Sequence, residues 1–202
     1  MLPRIVLASA SPSRRGLLER SGLKIEVQVS GVDEEDPRYA QLSPSEMVVT
    51  LAIVKAHTVR KHINYPALII ACDSTFEFNG KSLGKPLTRE RAIERAEQLS
   101  GNEGVLYTGH CLIDTTKEIE ISDVVATAVH FAKLSSAEIA SYVDTGEPLN
   151  VAGGFTLDGI SAPFIRSIKG ESSNVIGLSL PWLRSAINSL GYNWFDFVTA
   201  AK

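Results

Sequence analysis

Only two cysteines occur in 202 residues, too few for a disulfide framework. Both Cys72 and Cys111 lie inside apolar, strand-like runs, so they read as inert core thiols suited to a reducing cytoplasm. Neither sign of charge dominates. Twenty Lys and Arg against 23 Asp and Glu leave a net charge of −3 and a pI near 5.8. No global positive field draws in a nucleic-acid backbone, and no stable nucleic-acid partner is expected. Long apolar runs are absent. The stretch 5–10 behind Arg4 is too short for the apolar core of a signal peptide, and no run approaches transmembrane length, so the protein is expected to be neither secreted nor membrane-bound. Of the four histidines, His57, His62 and His130 show no metal-ligand spacing, and His110 reads as a partly buried strand residue. There is no Ser-His-Asp arrangement, P-loop or dinucleotide fingerprint. Nor is there a repeat, a low-complexity tract or a linker. With 44% hydrophobic residues, the chain is expected to form one domain over 1–202 that folds alone.

What is present begins at the first residues. Ile5 to Ala8 is an apolar run suited to an internal strand, and Ser11-Pro12 reads as the N-cap and first residue of a helix ending near Gly22. The amides of Ser13 and Arg14 then lack helical partners. With the positive end of the helix dipole and the guanidiniums of Arg14 and Arg15, they form an anion site or simply a capped surface helix that carries arginines. Lys24 to Ser30 alternates as a short strand, and 31–43 is an acidic loop with Asp33, Glu34, Glu35 and Asp36. Ser43 to Glu46 is a capping box opening a helix to about His62, with Met47, Val48, Leu51, Ala52 and Val54 on its apolar side. Lys55, one turn after Leu51, either reaches a site or runs along the surface. Ala67 to Cys72 reads as a second central strand followed directly by Asp73. Asn79-Gly80 marks a hairpin turn. Thr88 caps a helix to Ser100, and strands are predicted over 105–113 and 118–131. A capping box at Ser135 opens a helix to Val143. The glycine-rich stretch 151–159, a strand over 164–168 and a helix over 181–190 complete the chain. Early alternation of strands and helices with hairpins in the middle points to an α/β fold with a mixed sheet.

Both apolar strands end in polar chemistry, Ser9 and Ser11 with Arg14 and Arg15 after the first and Asp73 after the second. Ligands of α/β sheets sit at such carboxyl ends. An anion beside a carboxylate makes sense with a divalent metal or a water between them, which is a hydrolase-like layout. Asp73 is a metal ligand, a proton acceptor for water, or a cap on the turn after its strand. Glu34 is a second ligand or part of a solvated loop. Lys85, in Gly84-Lys85-Pro86, neutralises phosphate charge or is a surface lysine.

Taken together, these motifs resemble the Maf family of nucleoside triphosphate pyrophosphatases. The resemblance runs through Leu7-Ala-Ser-Ala-Ser-Pro-Ser-Arg-Arg15, Val32-Asp33-Glu34, Leu51-Ala52 with Lys55-Ala56, Cys72-Asp73-Ser74 and Gly84-Lys85-Pro86. It continues through Ser100-Gly101, Tyr107-Thr108-Gly109, Gly146-Glu147-Pro148 and 173–178, in order over almost the whole chain. It implies an elongated mixed sheet flanked by helices around a central cleft, of the Maf and inosine triphosphate pyrophosphatase kind. It also implies hydrolysis between the α- and β-phosphates of a nucleoside triphosphate with a divalent metal, Mg²⁺ or Mn²⁺. Asp73 would accept the proton of the attacking water, with Glu34 assisting at the metal. Ser9, Ser11, Arg14, Arg15, Lys55 and Lys85 would hold the triphosphate. The family is associated with clearing non-standard nucleotides and, in some bacteria, with restraint of septum formation.

One segment departs from the branch that prefers dTTP and UTP. A lysine and a glutamine expected there are replaced in Asn150-Val151-Ala152-Gly153 and Leu157-Asp158-Gly159. Asp158 is acceptor-only and would favour a base that offers N–H donors, such as guanine, unless it points away from the pocket. Broad nucleoside triphosphate specificity is the default, with a 7-methyl-GTP enzyme or a non-catalytic nucleotide-sensing regulator of division as the alternatives. The aromatic surface around Trp182, Trp194 and Phe195 offers a homodimer contact or docks onto the core.

Overall fold

The computed structural model describes residues 2–199. Strand β1 (Arg4–Leu7) leads into helix α1 (Pro12–Arg20), whose N-cap Ser11 accepts from the Arg14 amide. Strand β2 (Ile25–Val27) follows, and the acidic loop then tightens into a short turn over Pro37–Tyr39. Helix α2 (Pro44–Arg60) starts at the expected capping box, with Ser43 and Glu46 satisfying each other's backbone. Strand β3 (Ala67–Phe78) turns into β4 (Lys81–Leu83) through Asn79 and Gly80, with φ of 51° and 74°. Both values lie in the left-handed region that a two-residue hairpin requires. Next come α3 (Arg89–Leu99), β5 (Glu103–Asp114), β6 (Ile119–Phe131), α4 (Ser136–Asp144), β7 (Ile165–Lys169), α5 (Ser172–Ile176) and α6 (Leu180–Ser189).

The strands form a seven-stranded sheet in the order β2-β1-β3-β5-β6-β7, with β4 pairing β3. β1 lies parallel to both β2 and β3, whereas the β3–β4 and β6–β7 pairs are antiparallel. The sheet is therefore mixed, and helices flank it, as the order of elements led one to expect.

The chain divides into two compact units. One holds the residues up to Asp73, Thr108–Val125 and those from Gly177 on; the other holds Ser74–Tyr107 and Ala126–Ile176. The first has a core of small and β-branched side chains, including Val6, Ala8, Ala52, Ala56, Ile69, Ala71 and Cys111. Small residues let α2 approach the strands closely. At Gly109 of β5 an added Cβ would lie 2.2 Å from the backbone of Val48. The second unit is built around Phe76, Phe131 and Phe155, whose rings meet edge to face with centroids 5.0–5.8 Å apart.

Three expectations are corrected. The strand opening at Ala67 does not stop before Asp73 but continues to Phe78, because the hydrogen-bonded ladder carries on where hydropathy drops. Helix α2 buries Val48, Leu51, Ala52, Lys55, Ala56 and Val59, while Met47 and Val54 are only half-buried. The helical period places Lys55, not Val54, on the core stripe. His110 is completely rather than partly buried. Helix α5 has no counterpart in the sequence reading, and the glycine-rich stretch forms a short turn over Ala152–Gly154, preceded by another over Glu147–Asn150.

Candidate active site

The first unit gathers most of the chemistry, beginning with three segments. Parallel pairing of β1 with β3 sets Leu7 opposite Ile70, so the chain leaving β1 toward Ser9 runs alongside the part of β3 that leads to Asp73. Helix α2 supplies the third segment through Lys55.

Lys55 is the centre of the cluster. Its ammonium lies 2.6 Å from Asp73 Oδ1 and 2.5 Å from Glu34 Oε1. The lysine side chain is 6% exposed and that of Asp73 10%, whereas Glu34 is 49% exposed. A lysine on a helix's core stripe requires counter-charge, and a carboxylate inside a strand requires a cation. Each resolves the other's burial, and Glu34 reaches in from the acidic loop to complete the group. Burial drives the Asp73 carboxyl above the usual range. Lys55 and Arg14 oppose that rise and Glu34 adds to it, with burial dominant. The neighbouring Cys72 is inert, since burial pushes its thiol up to about 12.

At the start of α1 the two arginines part company, as neighbours on a helix must when each residue turns by about 100°. Arg14 turns inward. Its Nε donates to the Gly177 carbonyl at 2.7 Å and its Nη1 to Ser9 Oγ at 3.2 Å. Ser9 Oγ also accepts from the Ser11 amide at 3.2 Å, and Ser11 Oγ accepts from the Arg14 amide at 3.4 Å. The Arg14 amide is thus taken by the cap rather than left without a partner. Arg15 faces the exposed side, where its Nε donates to Glu19 Oε1 at 2.8 Å.

Ser9, Ser11, Arg14, Glu34, Lys55 and Asp73 are therefore brought together on the first unit, with Arg15 turned away on the same helix. Lys85 follows β4 and Asp158 lies in a loop near residue 160, both exposed and both in the second unit. Gly177 is a site residue that sequence reasoning missed. Its φ of 116° suits glycine, and a Cβ there would meet Arg14 Nε at 3.2 Å. The available signal was a glycine just after a short apolar stretch, which by itself says nothing about an arginine 163 positions away.

Chemically, the cluster offers a carboxylate with a raised proton affinity, an ammonium against it and a guanidinium set by a serine. Among the described residues no group of three or more His, Cys, Asp or Glu could hold a metal ion. The donors that are present, two carboxylates, still suit a hard divalent cation of the Mg²⁺ type, which takes one or two carboxylates and completes its shell with phosphate oxygens and water. Among the described residues no helix is long and apolar enough to cross a membrane.

The sequence model of the Maf-like protein family matches residues 4–190. A protein of Streptomyces coelicolor named nucleoside triphosphate pyrophosphatase is 49% identical over 189 residues, covering 93% of this chain and 91% of that protein. Proteins of the same name from Prochlorococcus marinus and Nostoc punctiforme are each 46% identical, over 93% and 97% of this chain and 97% and 98% of theirs.

Proposed function

The chain belongs to the Maf-like protein family, and from that premise we propose that it is a nucleoside triphosphate pyrophosphatase, a hydrolase that cleaves between the α- and β-phosphates. The observation that carries the reading is the buried contact of Lys55 with Asp73, joined by the half-exposed Glu34, with the Arg14 guanidinium near enough to act on the Asp73 charge.

Hydrolysis of a phosphoanhydride needs little covalent chemistry from the protein; it needs the triphosphate held, charge neutralised and a water deprotonated. Arg14, Ser9 and Ser11 hold phosphate oxygens at the start of α1, with Arg15 reaching them once it leaves Glu19. Lys55 places a fixed positive charge against the reacting phosphate and holds the carboxylates in place. Asp73 accepts the proton of the attacking water, a task served by a carboxyl whose proton affinity lies above the ordinary range. Asp73 and Glu34 would hold a divalent cation, Mg²⁺ or Mn²⁺, which when bound supplies Lewis-acid neutralisation of phosphate charge. Lys85 and Asp158 keep the roles of phosphate and base contact that the sequence suggests. These residues grip the triphosphate rather than the base, so the substrate class is nucleoside triphosphates broadly. Two free, buried cysteines favour a reducing cytoplasm as the compartment.

The test is pyrophosphate release from canonical and modified nucleoside triphosphates with Mg²⁺, Mn²⁺ or chelator. Wild type should release pyrophosphate only with metal, and Asp73→Asn should lower kcat by about 10²–10⁴-fold while still binding nucleotide. Turnover in Asp73→Asn close to wild type would remove Asp73 from its role.

A further inference from the structure

One buried titratable group has no part in the chemistry above. His110, in β5, is fully buried, and its Nε2 accepts a hydrogen bond from the Ser179 amide at 2.8 Å. A nitrogen that accepts from an N–H carries no proton, so the imidazole is neutral with its proton on Nδ1. Nδ1 makes no hydrogen bond of full geometry. Burial first, and then the positive charge of Arg14, hold the ring far below the ordinary histidine range, at about 3, with the Thr108 backbone pulling weakly the other way. The ring also lies against Trp182 of α6, with centroids 4.7 Å apart and planes tilted by 32°.

The residue that His110 holds sits two positions from the residue that Arg14 holds. Ser179 is the N-cap of α6, its Oγ accepting from the Trp182 amide at 3.0 Å. Leu178 is fully buried. Gly177 presents its carbonyl to Arg14 Nε at 2.7 Å. A turn at φ 116° is thus pinned at one end by an imidazole and at the other takes a guanidinium. An apolar side chain in place of His110 would take away the acceptor that meets the Ser179 amide at 2.8 Å, and the 177–179 segment would shift in response. A protonated imidazole would lose the same bond and repel Arg14.

We propose that His110 is a positioning residue for the phosphate grip: through the Ser179 amide it fixes the 177–179 turn, and the Gly177 carbonyl then aims the Arg14 guanidinium. The inference rests on the reading of Arg14 as a phosphate ligand. It concerns binding, and so it is testable apart from turnover.

The experiment is calorimetric binding of inorganic tripolyphosphate to wild type, His110→Leu, His110→Gln, Arg14→Ala and the double variant His110→Leu with Arg14→Ala. Melting temperatures are recorded for each. His110→Leu should weaken binding about tenfold, the size of one hydrogen bond's contribution. His110→Gln, whose side-chain oxygen can again accept from the Ser179 amide, should restore most of the affinity. In the Arg14→Ala background the His110→Leu change should cost nothing further, because its effect runs through the missing guanidinium. A merely structural histidine would lower the melting temperature and give the same loss with or without Arg14. That additive result overturns the inference, as does wild-type affinity in a folded His110→Leu protein. Unchanged binding in Arg14→Ala removes the phosphate ligand, and the inference falls with it. Binding with the expected coupling, but no pyrophosphate release by wild type, would overturn the enzymatic reading and leave the role of His110 standing.

Discussion

Lys55 occupies a position at which the helical period of α2 calls for an apolar side chain, and its ammonium is held there by Asp73 at 2.6 Å and Glu34 at 2.5 Å. Removing one member of a buried ion pair leaves the other's charge uncompensated and costs about 3–5 kcal/mol. Lys55→Met should therefore destabilise the protein by roughly that amount at neutral pH in urea unfolding; a loss below about 1 kcal/mol would place the pair with weak surface bridges instead. Asp73 adds a pH dependence. Its folded value is raised above the ordinary 3.8, chiefly by burial, so in the metal-free protein the folded state binds the proton more tightly than the unfolded state. The resulting contribution to stability is complete below the unfolded value and is lost as pH rises through the folded one. Wild type should lose stability relative to Asp73→Asn across that window when both are unfolded in chelator at a series of pH values. Wild type gaining stability relative to Asp73→Asn as pH rises would reverse the sign and point to a carboxyl held low by Lys55.

At the scale of elements, α2 carries Lys55 and β5 lies under its first turns, with Gly109 set close against the Val48 backbone. A Cβ at Gly109 would stand 2.2 Å from the Val48 backbone, and rigid backbone cannot rotate out of the way. Gly109→Ala should cost at least about 1–3 kcal/mol, and it should also shift the carboxyl signals of Asp73 and Glu34 as the helix moves off the strand. A stable variant with unshifted signals would show that the gap is wider than this spacing. Much at this scale is legible in the sequence because it is local. Ser11, Ser43, Thr88 and Ser135 each cap the helix expected of them, since a cap depends on residues two or three positions away. The end of β3 was not legible. Asp73 breaks an apolar run, and a break in hydropathy looks the same whether the strand stops or a buried carboxylate finds a cation on another element. Lys55 was a candidate from the start, but its burial was hidden for the same reason, because its partners lie 18 and 21 residues away. The separate fates of Arg14 and Arg15 were implied by helix geometry, but only the position of Gly177 shows which arginine faces inward.

For the whole molecule the decisive feature is continuity of the strands. β3, β5 and β6 each begin in one compact unit and end in the other, so the chain of each of these strands belongs to both. Both tryptophans, Trp182 and Trp194, belong to the first unit, whereas the Phe76, Phe131 and Phe155 core belongs to the second. Tryptophan fluorescence accordingly reports the first unit, while far-ultraviolet circular dichroism reports both. If shared strands bind the units into one cooperative structure, the two signals should trace a single transition with the same midpoint in urea. Dichroism that keeps part of its amplitude after the fluorescence change is complete would mean that the second unit survives alone on its aromatic core. In that case the first unit, with Lys55, Asp73 and Arg14, would be the less stable part of the enzyme. If nucleotide binds the folded form as proposed, it should then raise the fluorescence midpoint more than the later dichroism step.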